Sequence, residues 1–263
     1  MFLIQALMEG VYAMEIRLDR HGPHIAVITI DNQPRMNALT RAMMADLGRL
    51  WDELQADDTR CIILTGAGAR AFNVGADLSG DLSADESMAA VVNHALLKTD
   101  IYAKPIIAAI NGDCVGGGIE LMLSSDIRAA TPTARFGLPE VKWSIYPFGG
   151  ATVKLIRQIG HVHAMDLLLT GRLITSKVAA ELGLINQVVP AGELMDWSLA
   201  KAEVIAGNSP SAVQAVKTQI SATIAAHALS REGLDQELGD KVRVGPDFAE
   251  GVSAFLEKRK PIY

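Results

Sequence analysis

The sequence is poor in aromatic residues and carries no excess of positive charge. Phe, Trp and Tyr make up 5% of the 263 residues, so the stacking platforms of single-stranded nucleic-acid-binding proteins are not expected. The net charge of −6 argues against broad contact with a phosphate backbone or an anionic membrane. A small anionic ligand is compatible with this charge, because it requires only a local basic spot. We therefore expect neither nucleic acid nor a membrane among the partners.

Cysteine is scarce as well, and apolar runs are short. Cys61 and Cys114 lie in or beside strand-like segments, without a CxxC motif or a Cys/His ligand spacing. We predict two reduced core thiols, a cytoplasmic protein and no metal site. No segment reaches the roughly 18 apolar residues of a membrane-spanning helix. Residues 1–13 have no basic leader and no cleavage pattern, and we predict an N-terminal extension there.

Apolar strands alternate with helical patterns in the first half of the chain. Residues 25–30, 61–64 and 106–110 are near-continuous apolar runs, typical of strands buried on both faces. Thr40 is a good N-cap for a helix whose apolar residues follow at helical spacing. Further helices are predicted at residues 153–159, 164–169, 177–182, 194–206, 212–226 and 248–257. The pattern indicates an α/β core followed by a helical C-terminal region.

A glycine-containing turn at residues 66–71 fits a loose nucleotide-binding pattern after a strand. A dinucleotide site also needs a helix that begins there, with its N-terminus on the pyrophosphate. Residues 72–77 are poor helix formers, so we interpret the segment as an ordinary turn. The histidines show no metal-ligand spacing and no Gly-x-Ser-x-Gly elbow is present, which argues against a metalloenzyme or a triad hydrolase.

Two glutamates follow glycine-containing segments. Gly116, Gly117 and Gly118 precede Glu120 at a predicted helix start, where unpaired N–H groups can hold an oxyanion. Close helix–strand packing would explain the glycines equally well, but a carboxylate in this apolar segment is costly unless it is used or paired. Glu140 ends residues 136–140 and, taken alone, is typical of a solvated loop. Together the two carboxylates fit an acid/base site, because proton transfer needs such a pair and donors for the negative charge.

In combination, these motifs resemble the crotonase family, also called the enoyl-CoA hydratase/isomerase superfamily. The resemblance extends over residues 14–263, and the ordered combination is specific although each motif is weak. The matching segments are residues 35–39, 71–77, 111–120, 136–140, 168–172, 183–185 and 255–260. The resemblance implies an α/β fold with a spiral of ββα turns over residues 14–195. It also implies a helical region over residues 196–263 that forms homotrimers, which commonly pair into hexamers.

The resemblance implies an acyl-CoA thioester substrate and no separate cofactor, since coenzyme A is part of the substrate. The backbone N–H groups of Val74 and Gly117 would form the oxyanion hole. Glu120 would help to activate water for attack at Cβ. Glu140 would hold that water and exchange the proton at Cα. Many relatives, isomerases included, keep only one of these carboxylates, so the pair favours hydration of a trans-2-enoyl-CoA.

Further residues are implied for substrate binding. Those that would contact CoA are Met36, Ala38, Ala76, Asp77, Phe255 and Lys258. The last two match a position that reaches the CoA of a neighbouring subunit, where Lys258 would place a cation near phosphate.

Some residues depart from the family pattern. Phe148 replaces a small residue, and its ring is expected to reshape the acyl pocket or crowd the catalytic water. Asn73 replaces a small apolar residue and is able to donate to the ligand. Residues 81–98 are predicted to be a mobile helical segment over the site that shapes the acyl pocket together with Phe148. Two alternatives therefore stay open: a double-bond isomerase, and an acyl-CoA-binding protein with little turnover.

Overall fold

The computed structural model describes residues 15–77 and 86–263. The extension predicted for residues 1–13 and the first part of the segment 81–98 lie outside these described residues. The ten strands in chain order are β1 Glu15–His21, β2 Ile25–Asp31, β3 Cys61–Gly66, β4 Ala71–Asn73, β5 Ile106–Ile110, β6 Asp113–Val115, β7 Ile127–Ala130, β8 Arg135–Gly137, β9 Ile174–Thr175 and β10 Gln187–Val188.

The strands form two sheets that are mainly parallel. The larger sheet has the order β1-β2-β3-β5-β7-β10, and only the pair β1–β2 is antiparallel. The smaller sheet has the order β4-β6-β8-β9, with β9 antiparallel to β8. Strands that are neighbours in sequence alternate between the sheets from β3 to β8, so each turn of the chain adds one strand to each layer. This places the ends of β4, β6 and β8 side by side.

Helices fill the connections and the C-terminal part of the described chain. They are α1 Arg41–Ala56, α2 Glu86–Ala95, α3 Gly117–Met122, α4 Ala151–Ile159, α5 His161–Thr170, α6 Ser176–Glu181, α7 Leu194–Gly207, α8 Pro210–Arg243 and α9 Pro246–Glu257. Short 3-10 turns cover Gln33–Arg35, Pro139–Trp143 and Ala191–Glu193. Among the described helices, none is long and apolar enough to cross a membrane.

The predicted core elements are confirmed. The three predicted apolar strands correspond to β2, β3 and β5, and every residue of β3 and β5 is buried. Thr40 caps α1, since its hydroxyl accepts a hydrogen bond from the N–H of Met43 at 3.2 Å. Cys61 and Cys114 are buried free thiols, as predicted.

Two elements differ from the sequence-based expectation. Helix α8 continues to Arg243, whereas the sequence predicted its end near residue 226. The prediction was too short because the second half of the helix has few apolar residues and contains two glycines, which conceal the helical pattern. Glu140 lies in the 3-10 turn Pro139–Trp143 and not in an open loop. The longer α8 carries the buried Asp235, and the 3-10 turn places Glu140 beside Gly116.

Candidate active site

Glu120 lies in the first turn of α3, and its carboxylate is buried. Gly116 precedes the helix with a φ of 60°, a conformation that favours glycine. Glu120 is 5% exposed, and its Oε1 accepts a hydrogen bond from the N–H of Ala151 at 3.2 Å. A methyl group on Gly149 would clash with Oε2. The carboxylate is therefore held between α3 and the start of α4.

Glu140 approaches the same glycine segment from the end of β8. The N–H of Gly116 donates to the carbonyl of Gly137 at 2.9 Å, which fixes β8 beside the start of α3. A methyl group on Gly116 would lie 3.2 Å from Oε1 of Glu140 and 3.6 Å from the carbonyl oxygen of Val74. Oε2 of Glu140 is buried without a hydrogen-bond partner among the described residues. Such an oxygen is costly unless a ligand or water uses it.

Burial raises the pKa of both carboxyl groups. The pKa of Glu120 rises to about 7, opposed by the N–H of Ala151 and the positive charge of Lys98. Burial raises the pKa of Glu140 to about 8, and the charge of Glu120 adds to this increase. Because the two groups interact, they titrate as a pair. Between these two pKa values the pair holds about one proton, so one carboxyl group can donate a proton while the other accepts one.

The segments that carry Val74 and Gly117 are in direct contact. A methyl group on Gly75, whose φ is 97°, would lie 3.0 Å from the backbone nitrogen of Gly117. The N–H of Gly117 belongs to the first turn of α3, where no intrahelical acceptor exists. For the N–H of Val74, no hydrogen bond to another described residue is found. Two adjacent N–H groups of this kind can bind one oxyanion.

Gly118 has the alternative role considered for the glycines, which is to allow close packing of a helix on a strand. A methyl group there would clash with the carbonyl of Asn73, so Gly118 allows α3 to pack on the end of β4. The three consecutive glycines therefore divide their roles. Gly116 turns the chain, Gly117 presents its N–H, and Gly118 provides the close contact.

Asn73 is hydrogen-bonded through both ends of its amide. The residue is fully buried, its Nδ2 donates to the carbonyl of Asn37, and its Oδ1 accepts from the N–H of Gly75 at 2.9 Å. Because Nδ2 carries a second N–H, the donation to a ligand stays a prediction. Its contact with Gly75 fixes the segment that follows Val74, which makes Asn73 a support for the oxyanion segment.

Phe148 packs against α8, and its effect on the acyl pocket or the catalytic water stays a prediction. Its ring packs on Gly239 of α8, where a methyl group would clash with it. Tyr146 meets the ring edge-on at 5.3 Å, and the guanidinium of Arg243 lies 5.6 Å from its centre. The residue that approaches the Glu120 carboxylate is Gly149. The bulky side chain is therefore directed toward α8, while the small residue that follows it faces the acid.

The two segments predicted to bind CoA are adjacent. The N–H of Leu39 donates to Gly75 at 2.8 Å, and the N–H of Asp77 donates back to Leu39 at 2.9 Å. This pairing brings Met36 and Ala38 beside Ala76 and Asp77. Ala76 is exposed, whereas Ala38 is buried.

A cleft of about 230 Å³ opens next to this pairing. Met36 lines it, together with the exposed Arg70 from the turn after β3. Arg70 provides a cation that the sequence did not single out, because the turn looked unremarkable. A cation at a cleft of this kind is suited to an anionic group.

Phe255 and Lys258 lie at the end of α9, against the Glu140 turn of the same chain. Phe255 meets Trp143 edge-on at 5.4 Å, and Lys258 is exposed in a left-handed conformation with a φ of 56°. Tyr263 adds a hydrogen bond from its hydroxyl to the carbonyl of Lys142 at 3.0 Å. The reach of Phe255 and Lys258 to a neighbouring subunit stays a prediction.

Two buried lysines were missed by the sequence analysis. Lys98 is 1% exposed and Lys154 is 2% exposed, and both carry charges that act on Glu120. Burial lowers the pKa of Lys154 to about 7. Neither lysine belongs to a recognisable motif, and only an acidic partner for Lys98 in the unpredicted part of α8 could have indicated its burial.

Comparison with known proteins matches this chain to one family. The family model described as enoyl-CoA hydratase/isomerase matches residues 20–263. Enoyl-CoA hydratase EchA19 of Mycobacterium tuberculosis is 42% identical over 252 residues, covering 93% of this chain and 94% of the relative. The short-chain-enoyl-CoA hydratase of Clostridium acetobutylicum is 34% identical over 248 residues, covering 92% and 95%.

A solved structure has the same fold. The crystal structure of carnitinyl-CoA hydratase from Mycobacterium avium matches with a TM-score of 0.88 at 33% identity, covering 95% of this chain and 98% of that one. The implied spiral of ββα turns with a helical C-terminal region is thereby confirmed. The chain belongs to the enoyl-CoA hydratase/isomerase family.

Proposed function

We propose that the protein hydrates trans-2-enoyl-CoA thioesters to 3-hydroxyacyl-CoA. The observation that carries the proposal is the pair of carboxyl groups, Glu120, which is buried, and Glu140, whose Oε2 is buried, beside the segments that present the N–H groups of Val74 and Gly117. Hydration needs a base, an acid and a binding site for an enolate oxygen at one place. This arrangement supplies all three with residues of one chain.

In the proposed reaction, the thioester oxygen accepts hydrogen bonds from Val74 and Gly117. The ionised carboxylate of Glu120 removes a proton from water, and the hydroxyl oxygen bonds to Cβ while the double-bond electrons move toward the thioester oxygen. The N–H pair stabilises the resulting enolate. The enolate then takes a proton at Cα from Glu140, which also holds the water. Water is thus added as a hydroxyl group at Cβ and a proton at Cα, and the carboxyl pair still holds one proton, which is now on Glu120.

The raised pKa values support this division of work. An ordinary pair of glutamates would be fully ionised at neutral pH and could not donate a proton. Here burial and mutual repulsion keep about one proton on the pair, which suits simultaneous donation and abstraction. A double-bond isomerase needs only one group to shuttle a proton, so a second buried carboxyl would be an unnecessary cost. The same cost argues against a protein that only binds acyl-CoA.

The test is hydration of crotonyl-CoA and longer 2-enoyl-CoAs, followed by loss of the enoyl absorbance. We expect turnover by the wild type, and a loss of at least about 100-fold in kcat for Glu120→Gln or Glu140→Gln. Glu237→Gln, an exposed substitution on α8, is the matched control and should retain activity. Tight binding of the CoA ester without turnover would refute hydration, and interconversion of 2-enoyl and 3-enoyl isomers alone would identify an isomerase.

A further inference from the structure

Lys98 is a buried cation that the proposed reaction does not use. Its Nζ lies 2.8 Å from Oε2 of Glu232 and 3.1 Å from Oδ2 of Asp235, both on α8. Asp235 is itself 4% exposed, and its Oδ1 accepts a hydrogen bond from the hydroxyl of Tyr146 at 2.8 Å. Asn93 of α2 donates to Glu232 at 2.8 Å. These polar contacts join α8 to α2 with the residues that follow it, and to the segment before α4 that contains Tyr146.

The backbone has an unusual conformation at the residue that precedes Lys98. Leu97 has a φ of 45°, in the left-handed region that a branched side chain rarely adopts, and it is buried. Such a strained conformation is typical of functional sites. The carbonyl of Leu97 accepts a hydrogen bond from Nζ of Lys154 at 2.8 Å. Leu97 therefore positions both buried lysines, Lys98 as the next residue of the chain and Lys154 through the hydrogen bond to its carbonyl group.

This backbone conformation brings Lys98 behind the segment that holds Glu120. A methyl group on Gly150 would lie 3.2 Å from Cγ of Lys98, while the neighbouring Ala151 donates its N–H to Glu120. The charged and titratable groups that act on Glu120 come from four elements. They are Glu140 of the 3-10 turn, Lys98 after α2, Lys154 of α4 and Tyr146 before α4. Among them, Lys98 forms ion pairs with α8, and Tyr146 donates its hydroxyl to Asp235 of the same helix.

We propose that Lys98 is a positioning residue that holds a positive charge behind Glu120, and that Glu232 and Asp235 of α8 set the strength of that charge. Helix α8 thereby influences catalysis through Lys98, without a residue of its own that acts on the substrate in the proposed reaction. The inference rests on the proposed function, in which ionised Glu120 is the base.

A merely structural role predicts different behaviour. Removing one member of a buried ion pair destabilises a protein because the other charge is left without a partner. That effect would lower activity at every pH to a similar degree. An electrostatic role instead moves the pH at which Glu120 ionises. The two roles are therefore separated by the pH profile and not by the size of the loss.

The first variant is Lys98→Met, with Lys98→Arg as the conservative exchange. Losing the cation raises the pKa of Glu120, so the acid limb of kcat/KM should move about one unit to higher pH. Relative to the wild type at the same pH, kcat/KM of the variant should be about tenfold lower near pH 6 and largely equal near pH 9. Lys98→Arg should restore the wild-type profile. Lys241→Met, at an exposed site of α8, is the control.

Glu232→Gln gives a second test with the opposite sign and keeps Lys98 in place. With one anion fewer beside Lys98, the pKa of Glu120 falls, and the acid limb should move to lower pH. Glu232 is only half-buried, so this variant should fold even if Lys98→Met does not. A shift of the same sign in both variants, or no shift in either, would overturn the proposal.

A measurement without turnover separates this proposal from the proposed function. In a Glu140→Gln background, the Glu120 carboxyl carbon can be titrated by ¹³C NMR with no interacting acid beside it. Lys98→Met should raise the midpoint and Glu232→Gln should lower it. If the wild type hydrates no enoyl-CoA, the proposed function fails while these shifts still test the electrostatic role. If hydration occurs but the midpoints do not move, only the role of Lys98 is refuted.

Discussion

At the residue scale, small side chains determine how the acids are placed. Gly149 follows Phe148, and its missing side chain leaves room for Oε2 of Glu120. The backbone of Gly149 does not have a positive φ, so alanine is allowed by conformation and excluded only by contact. Substitution at this position therefore tests the position of the carboxylate without a change in charge.

We expect Gly149→Ala to displace the Glu120 carboxylate and to reduce kcat by about 100-fold, because small misplacements of a catalytic group have effects of this size. The methyl group would also lie 2.5 Å from Cδ1 of Leu96, which can move aside. Gly192→Ala is the control, since nothing lies within 4 Å of its new methyl group. Steady-state kinetics and a circular dichroism spectrum should show lost activity in a folded protein. Unchanged kcat would show that Glu120 is not held at this point.

The pKa of Glu120 also predicts a pH dependence of stability. Its folded value of about 7 lies above the ordinary 4.5, so the folded protein binds more protons than the unfolded chain between these values. Stability from this group is therefore present at low pH and is lost as the pH rises from about 4.5 to about 7. Glu120→Gln should remove this loss, giving a variant more stable than the wild type by about 1–3 kcal/mol at pH 8. Urea denaturation at both ends of this pH range measures the free energy of unfolding. An equal change of this free energy with pH in the wild type and the variant would contradict the prediction.

At the scale of elements, α8 shows how a helix can be fixed to the core with few apolar residues. Its buried positions are Ala225, Ala228, Asp235 and Gly239, of which one is charged and one has no side chain. Gly239 accommodates the ring of Phe148, and Gly233 is exposed with nothing within 4 Å. Two glycines of one helix therefore have different reasons to be there.

We expect Gly233→Ala to stabilise the protein by about 0.5–1 kcal/mol, because alanine is the better helix former and its methyl group meets no neighbour. Gly239→Ala should instead destabilise it by about 1–3 kcal/mol, because the methyl group overlaps the ring of Phe148. Thermal unfolding of the two variants provides the comparison, each serving as a control for the other. Stabilisation by both would show that the ring does not pack on α8.

At the scale of the whole molecule, apolar side chains remain exposed on the C-terminal helices. Val204 of α7 is 65% exposed, and Val216 and Ile220 of α8 are 68% and 58% exposed. Apolar residues that recur on a helix surface are typical of an interface. We predict a homo-oligomer, a trimer or a pair of trimers, that covers this surface. Val216→Asp combined with Ile220→Asp should lower the mass measured by light scattering, whereas Val162→Asp, exposed on α5, should not.

The sequence predicted those parts of the fold and site that local patterns specify. The strand at 106–110 is continuous and apolar, and Glu120 follows its glycines directly, so both could be located without coordinates. The contacts of Asn73 and Phe148 could not be predicted, because they are made with Asn37 and Gly239, which are distant in sequence. Lys98 could not be recognised because its partners lie in the part of α8 that has no helical pattern. The sequence thus predicted features that depend on neighbouring residues, whereas contacts between residues distant in sequence could not be predicted.

The two carboxyl groups differ in how fully the protein engages them, and this bears on how the site can evolve. The Glu120 carboxylate accepts the N–H of Ala151, and a single methyl group added to Gly149 would clash with it. The Glu140 carboxylate has one oxygen without a partner among the described residues, although Gly116 beside it must remain a glycine because of its φ of 60°. Mutations that diversify the chemistry should therefore accumulate first at Glu140 itself, while Glu120 and its surroundings change only together.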